Sequence, residues 1–316
     1  MNNLQTLDGK RLFLTGGTGF LGKNLLRLLE QAHSTLQITL LSRDPERFDR
    51  AYPHFRKHLN LTFLKGDIRT FPFPDGNFDF ILHGATDADA VMIREQPEEM
   101  YSVIVDGTRH LLDFAEKSTS PRLLYLSSGA VYGPQDQGVP FVSETCPPLP
   151  ETCYGKGKRD AEELCLNSGI TCCIARCFTF SGPDLPLDRH YALGNFLADA
   201  AAKRPIVVKG DGRTVRSYLD SRDLAGWLFH FLQNAPPGTI CNAGSDIPIT
   251  IRELAERVRT LSGADLPILV QKSWDGRPSP RYVPDLTRAK AFGLKQRISL
   301  DSSICDMLAE AVRPIH

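Results

Sequence analysis

No apolar run in the chain approaches the roughly 20 residues that a membrane-spanning helix needs. A transmembrane architecture is therefore not expected. Charge is not in excess either: 37 Lys and Arg balance 37 Asp and Glu, a formal net charge of +0. Nucleic acid or an anionic membrane surface is thus not expected as a partner. The opening residues, MNNLQTLDGKRLFLTGG, lack an apolar core followed by small residues. No signal peptide is expected, and a cytoplasmic location is. The eight cysteines include no CxxC pair. Cys172, Cys173 and Cys177 lie in or beside the apolar run ITCCIARCF and read as buried free thiols of a reducing compartment, with no metal. The chain has no internal repeat and no low-complexity tract.

What is present is an ordinary globular composition, 41% hydrophobic and 23% charged over 316 residues, enough for a sizeable core. Short apolar runs alternate with helical periodicity through the first half. Arg11–Thr15, Gln37–Ser42, Leu61–Asp67, Phe78–Ala85, Arg122–Ser128 and Ile170–Arg176 read as strands. Phe20–Gln31, Glu98–Lys117 and a segment from Thr152 to about Ser168 read as helices. Strands buried on both faces and separated by helices predict an α/β fold with a doubly wound parallel sheet. After about Arg176 loops lengthen and prolines increase, which predicts a smaller, mixed C-terminal lobe.

Gly16, Gly19 and Gly22 fall between the first strand and the first helix. Such a turn lets the backbone approach a pyrophosphate and aims the helix amides at its oxygens. A dinucleotide is the expected ligand. An acidic residue ending the next strand would hold ribose hydroxyls and favour NAD. Ser42 and Arg43 stand there instead, followed by Asp44. An arginine fork suits a ribose phosphate, so NADP(H) is favoured and NAD(H) stays as the alternative.

The stretch TCYGKGKRDAEELC puts Tyr154 and Lys158 four residues apart, on one helix face. A tyrosine has a free pKa near 10 (roughly), too high for a base at neutral pH, and a nearby ammonium stabilises its phenolate. Ser128, ending the preceding strand, is placed to bond the reacting oxygen. Gly155 and Gly157 each cost the helix roughly 1 kcal/mol relative to alanine. The expectation is that they let its first turn approach the cofactor. Lys156 and Arg159 read as solvated surface, and His190 as a solvated loop histidine. His83 reads equally well as a satisfied core histidine and as a cofactor-lining one.

Taken together, these motifs resemble those of the extended short-chain dehydrogenase/reductases, within them the nucleotide-sugar epimerase/dehydratase/reductase group. The resemblance covers nearly the whole chain. It implies a Rossmann-type domain over residues 1–175. It implies a nucleotide-sugar lobe over residues 176–316, with some segments returning to the first domain. Thr15 to Gly22 match the family's glycine motif, which assigns Gly16, Thr18, Gly19, Phe20, Leu21 and Gly22 to the cofactor. Asp67 and Ile68 match the pair beside adenine, and His83 to Ala85 a segment lining the cofactor. Gly107 and Thr108 match a mid-helix pair. Ser127 to Gly133 match the segment whose second serine, Ser128, is catalytic, with Tyr154 and Lys158 completing the set. In the lobe, Thr179, Asn195, Arg216 and Arg277 fall at substrate positions, the two arginines at phosphate-binding ones.

The chain also departs from the pattern. Thr179 replaces an Asn, Ile104 replaces an Asn in many members, and Ser279-Pro280 replace Gly-Asp. Gly129 and Ala130 stand where 4,6-dehydratases carry an Asp-Glu pair, which argues against that activity. The resemblance implies an NADP(H)-dependent 4-ketoreductase of a nucleotide-linked 4-keto-6-deoxy sugar. A 4-epimerase with tightly bound NAD is the alternative, and a non-catalytic dinucleotide sensor a lesser one. It also implies a homodimer and a nucleotide-diphosphate sugar as substrate.

Overall fold

Strand-forming and helix-forming segments alternate as the sequence predicts. A computed structural model describes residues 4–86, 90–119, 121–136, 138–187 and 191–311; His190 lies outside them. The first strands are β1 (Arg11–Thr15), β2 (Gln37–Ser42), β3 (Asn60–Lys65), β4 (Phe80–His83), β5 (Arg122–Ser128) and β6 (Thr171–Cys177). With Ile240–Ala243 they form, among the described residues, a seven-stranded sheet. Its order is Ile240–Ala243, β6, β5, β4, β1, β2, β3, and the paired strands β1 to β6 run parallel. This is the Rossmann-type α/β arrangement. Strand order reverses between β1 and β4, the place where such sheets open a ligand crevice beyond the strands' carboxyl ends.

All of β1 to β6 except the edge strand β3 are largely buried, because helices cover the sheet. These are α1 (Phe20–Gln31), α2 (Pro45–Ala51), α3 (Pro53–His58), α4 (Ala90–Glu95), α5 (Pro97–Ala115) and α6 (Cys153–Asn167). α1 buries Leu25, Leu26 and Leu29 at helical spacing. α6 starts at Thr152, whose hydroxyl accepts from the Gly155 N–H at 3.0 Å, a side-chain N-cap. Phe13, Phe71, Phe78 and Phe114 make an aromatic cluster, Phe13 lying 4.7 to 5.5 Å from the other three ring centres.

Two strands end earlier than their apolar runs. β4 stops at His83 because the Ala85 N–H turns to the Thr15 hydroxyl at 3.1 Å. β3 stops at Lys65, and Asp67 folds a turn by accepting the Arg69 N–H at 2.9 Å. All eight cysteines are free, and Cys172, Cys173 and Cys177 are buried in β6.

The chain divides into two compact units. The first comprises residues 1–133, 148–177 and 225–241, and the second residues 134–147, 178–224 and 242–316. The second unit is built from short pieces. Val215–Arg216 pairs with Ile249–Thr250 and with Arg281–Tyr282, and Ile206–Val208 pairs with Ile268–Val270. Helix Ile251–Ser262 opens with a capping box between Thr250 and Glu253. It packs with helices Ala192–Ala201 and Leu300–Ala311 over a core that includes Phe196, Leu254, Val258 and Ile304. Among the described residues no helix is long and apolar enough to cross a membrane.

Candidate active site

The glycine turn follows β1 directly. Gly16 has φ +75°, and a β-carbon there would lie 2.5 Å from the backbone of Gly84. One on Gly22 would lie 2.3 Å from Gly17. Both positions are closed by the protein's own backbone. Gly19 differs: it is exposed, and its β-carbon would meet only the Gly16 carbonyl, at 3.4 Å. It is also the N-cap of α1, with no side chain capping the helix and no acidic residue in the first turn. The arrangement is an open, positively polarised cradle, which fits an anion such as a pyrophosphate. Thr18, Phe20 and Leu21 are half-buried around it.

At the end of β2 the Ser42 hydroxyl accepts from the Asp44 N–H at 3.2 Å. Asp44 in turn caps α2, its Oδ1 accepting from the Arg47 N–H at 3.1 Å. Arg43 is exposed between them. Asp67 is held by Arg69 through Nε at 2.9 Å and Nη2 at 3.1 Å, and that guanidinium keeps its carboxyl below the usual carboxylate range. Ile68 is buried, close over Gly107.

His83 sits in a hydrogen-bond network with Thr15 and Thr108. Thr108 donates to the Ile104 carbonyl at 2.6 Å, so His83 Nε2 donates to Thr108, at 3.1 Å. His83 Nδ1 then accepts from Thr15, at 2.8 Å. Both ring nitrogens are used, and burial lowers the pKa to about 3, so the ring is neutral. His83 is thus buried and fully hydrogen-bonded within the protein, at the carboxyl end of β4.

Ser128 ends β5, is buried, and caps the short turn Gly129–Tyr132 by accepting from the Ala130 N–H at 3.1 Å. Lys158 is 2% exposed. Its ammonium lies 5.9 Å from the Tyr154 ring centre and 5.0 Å from that of Tyr125. It donates to the Leu126 carbonyl at 2.8 Å and to the Thr86 hydroxyl at 2.9 Å. Burial lowers its pKa to about 8. The structure thus brings Tyr154 and Lys158 together, and joins Lys158 to the strand that carries Ser128. Lys156 is exposed, whereas Arg159 pairs with Glu163 at 2.6 Å.

The glycines of α6 do not have the role expected of them. A β-carbon on Gly155 would meet the Ala130 carbonyl at 2.6 Å, and one on Gly157 would meet Tyr101 and Ile104 at 3.3 and 3.4 Å. Their neighbours are the protein itself, not a cofactor-facing space. Sequence reasoning also missed Thr86, which no motif carries. It missed a buried pair one turn beyond Lys158 as well. Glu162 accepts from Arg176 Nε at 2.9 Å and Nη2 at 2.7 Å, and from the Ser127 hydroxyl at 2.5 Å. Glu162 follows Tyr154 and Lys158 at the same four-residue spacing, a signal that could have found it.

In the second unit, Arg216 is half-buried over the Tyr282 ring, 5.5 Å from its centre, and donates to the Val215 carbonyl at 3.0 Å. Burial lowers its pKa, and among the described residues no carboxylate pairs with it. Asn195 lines a cleft of about 450 Å³ with Lys209, Arg204 and Asp199. Thr179 is half-buried, its carbonyl accepting from the Leu219 N–H at 3.1 Å. Arg277 is exposed and lies 3.7 Å from Asp275, while Arg281, not Arg277, neighbours Val215 in the sheet.

Arabidopsis thaliana UDP-glucuronic acid decarboxylase 2 is 29% identical over 301 residues, covering 92% of this chain, while the chain spans 66% of the relative's length. Among solved structures, the UDP-glucose 4-epimerase of Thermotoga maritima superposes with a TM-score of 0.80 at 20% identity, over 95% of this chain and 97% of that one. RMD from Pseudomonas aeruginosa, complexed with NADPH, gives 0.73 at 24%, over 96% and 99%. A model of the NAD dependent epimerase/dehydratase family matches residues 12–244. The match takes in the glycine turn, Ser128, Tyr154 and Lys158, and the chain belongs to that family of enzymes, as the motifs' resemblance to the extended short-chain dehydrogenase/reductases implied.

Proposed function

We propose that the chain is an NADP(H)-dependent 4-ketoreductase of a nucleotide-linked 4-keto-6-deoxy sugar. The end of β2 carries the reading. Ser42 and Arg43 occupy the place of a ribose-binding acid, and one carboxylate oxygen of Asp44 is committed to capping α2. An exposed arginine there suits a ribose phosphate, which it can meet with parallel N–H donors.

In this reading the first unit binds the dinucleotide. Gly16, Thr18, Gly19, Phe20, Leu21 and Gly22 would hold its pyrophosphate, and Ser42 and Arg43 the phosphorylated ribose. Asp67 and Ile68 would flank adenine through the turn they form, and Ala85, Tyr154 and Lys158 the nicotinamide end. The bound cofactor supplies hydride. The second unit binds the sugar nucleotide through Thr179, Asn195, Arg216 and Arg277. Arg216 supports an anionic ligand most directly, being half-buried with no carboxylate partner among the described residues. The active assembly in this reading is a homodimer.

Tyr154 would give its phenolic proton to the C4 oxygen as the ketone becomes a hydroxyl. The Lys158 charge stabilises the phenolate left behind. Ser128 already accepts the Ala130 N–H, so its own proton points to another acceptor and can be donated to the same C4 oxygen. Gly129 and Ala130 offer no carboxylate for eliminating water. A 4-epimerase is the second reading, favoured by the family's description, which names NAD and epimerases. The same three residues would then take the proton from the C4 hydroxyl as hydride leaves C4 for bound NAD, and return it to that oxygen as hydride comes back to the other face of the ketone.

The test is the dinucleotide released on denaturing the purified protein, followed by titrations with NADPH and NADH. The expected protein is empty and prefers NADPH, and Arg43→Ala weakens NADPH by about 10- to 100-fold while sparing NADH. Stoichiometric NAD that does not exchange would overturn the reductase and support the epimerase. Tyr154→Phe should keep the dinucleotide and lose turnover of 4-keto nucleotide sugars; a sensor would keep its function.

A further inference from the structure

We infer that Thr86 is a positioning residue for the Tyr154–Lys158 pair, its hydroxyl holding the Lys158 ammonium in place. The inference rests on the reading of Lys158 given above and adds a residue that no motif singles out. Thr86 Oγ1 donates its own proton to the Ala85 carbonyl at 2.7 Å. Its oxygen therefore meets Lys158, at 2.9 Å, as an acceptor. Among the described residues the other acceptor is the Leu126 carbonyl, at 2.8 Å. The ammonium is thus pinned between the end of β4 and the end of β5. The support is itself anchored, because the Gly84 and Ala85 N–H groups both bond the Thr15 hydroxyl, at 3.2 and 3.1 Å.

The surroundings make this acceptor matter. Facing Lys158 are Tyr125 on β5, Tyr154 on its own helix, His83 on β4 and Cys177 on β6, with Glu162 and Cys165 farther along α6. His83 is neutral, burial holds the Cys177 thiol up at about 12, and Glu162 is bound by Arg176 and Ser127. Among the described residues, Leu126 and Thr86 are therefore the groups that bond the ammonium directly. An acceptor favours the charged form of a buried amine, so its loss makes Lys158 give up its proton at lower pH.

The test follows the Lys158 side-chain resonance against pH in cofactor-free protein labelled with ¹³C-lysine. The resonance is assigned as the one absent from Lys158→Arg. Thr86→Val removes the hydroxyl at constant shape, and Thr86→Ala serves should the valine variant not fold. The expected midpoint falls from about 8 by about one pH unit, a hydrogen bond to a charged group. Thr86→Ser should restore it. The alkaline limb of kcat should move with the midpoint, while KM for the sugar nucleotide stays. An unchanged midpoint in the hydroxyl-free variant overturns the inference, and so does an equal fall in Thr86→Ser. Wild-type turnover in Lys158→Met would instead remove the catalytic reading of Lys158, a failure that the turnover assay shows separately from the resonance.

Discussion

The α-hydrogen that stands in the side-chain position of Gly155 faces the carbonyl of Ala130 so closely that a methyl group there would come within 2.6 Å of the oxygen. Pro150 and Thr152 close the same space at 3.0 and 3.2 Å. The glycine therefore seats the first turn of α6 on the turn that follows Ser128. It fixes the helix that carries Tyr154 and Lys158 against the turn that follows Ser128.

Gly155→Ala should accordingly destabilise the fold by about 1–3 kcal/mol, the cost of overpacking against backbone that cannot yield. Gly157→Ala should stay within about 1 kcal/mol of the parent. Its new carbon meets only side chains, and alanine's helix propensity offsets the crowding. Urea unfolding of both variants, with dinucleotide titration alongside, checks this. A Gly155→Ala protein that unfolds like the parent but binds dinucleotide poorly would restore the cofactor-facing role.

Lys158 costs the protein stability. Its folded pKa, lowered by burial to about 8, lies below the ordinary lysine value. Between those values the unfolded chain binds more protons than the folded one, so stability rises with pH there. Below about 8 both states are protonated and the full penalty remains. Lys158→Met should thus unfold later than the parent at pH 7 (roughly neutral), by on the order of 1 kcal/mol or more, and the gap should close as pH rises beyond 8. Denaturant midpoints measured across that range decide it; a gap independent of pH would mean the ammonium is not the cause.

Glu162 and Arg176 are 0% and 2% exposed, and each depends on the other. Glu162→Gln leaves a guanidinium buried without its counter-charge and should cost about 3–5 kcal/mol. Replacing both by methionine should recover most of that loss, because the desolvation penalty disappears with the pair. A double-mutant cycle in urea measures the coupling. Additive losses would show that the two side chains do not act as a unit.

Much of the fold could be read from local pattern. β1, β2, β5 and α1 carry the residue limits that their apolar runs predict. Buried parallel strands read as continuous apolar segments, and that signal needs no partner. The glycine turn and the Tyr154–Lys158 pair stood out by their spacing on one turn and one helix face, and Ser128 by its place at the end of a strand and by the family's serine segment. Thr86 was not legible, since its bond to Lys158 joins residues 72 apart in the chain, and Arg176 was not, since its partner lies on another element; Glu162 carried only the four-residue spacing as a signal. Gly155 and Gly157 show the converse error. The sequence marks where a β-carbon is missing, but only packing shows what fills the space.

Asp44 has a consequence for redesign. Because it starts α2, residue 44 belongs to the scaffold, and the buried Ser42 supports it by accepting the Asp44 N–H, whereas Arg43 between them is exposed. On the proposed reading, attempts to exchange one nicotinamide coenzyme for the other should leave Ser42 and Asp44 alone and vary Arg43. That one position is then a selectivity handle that can be turned without unwinding the helix behind it.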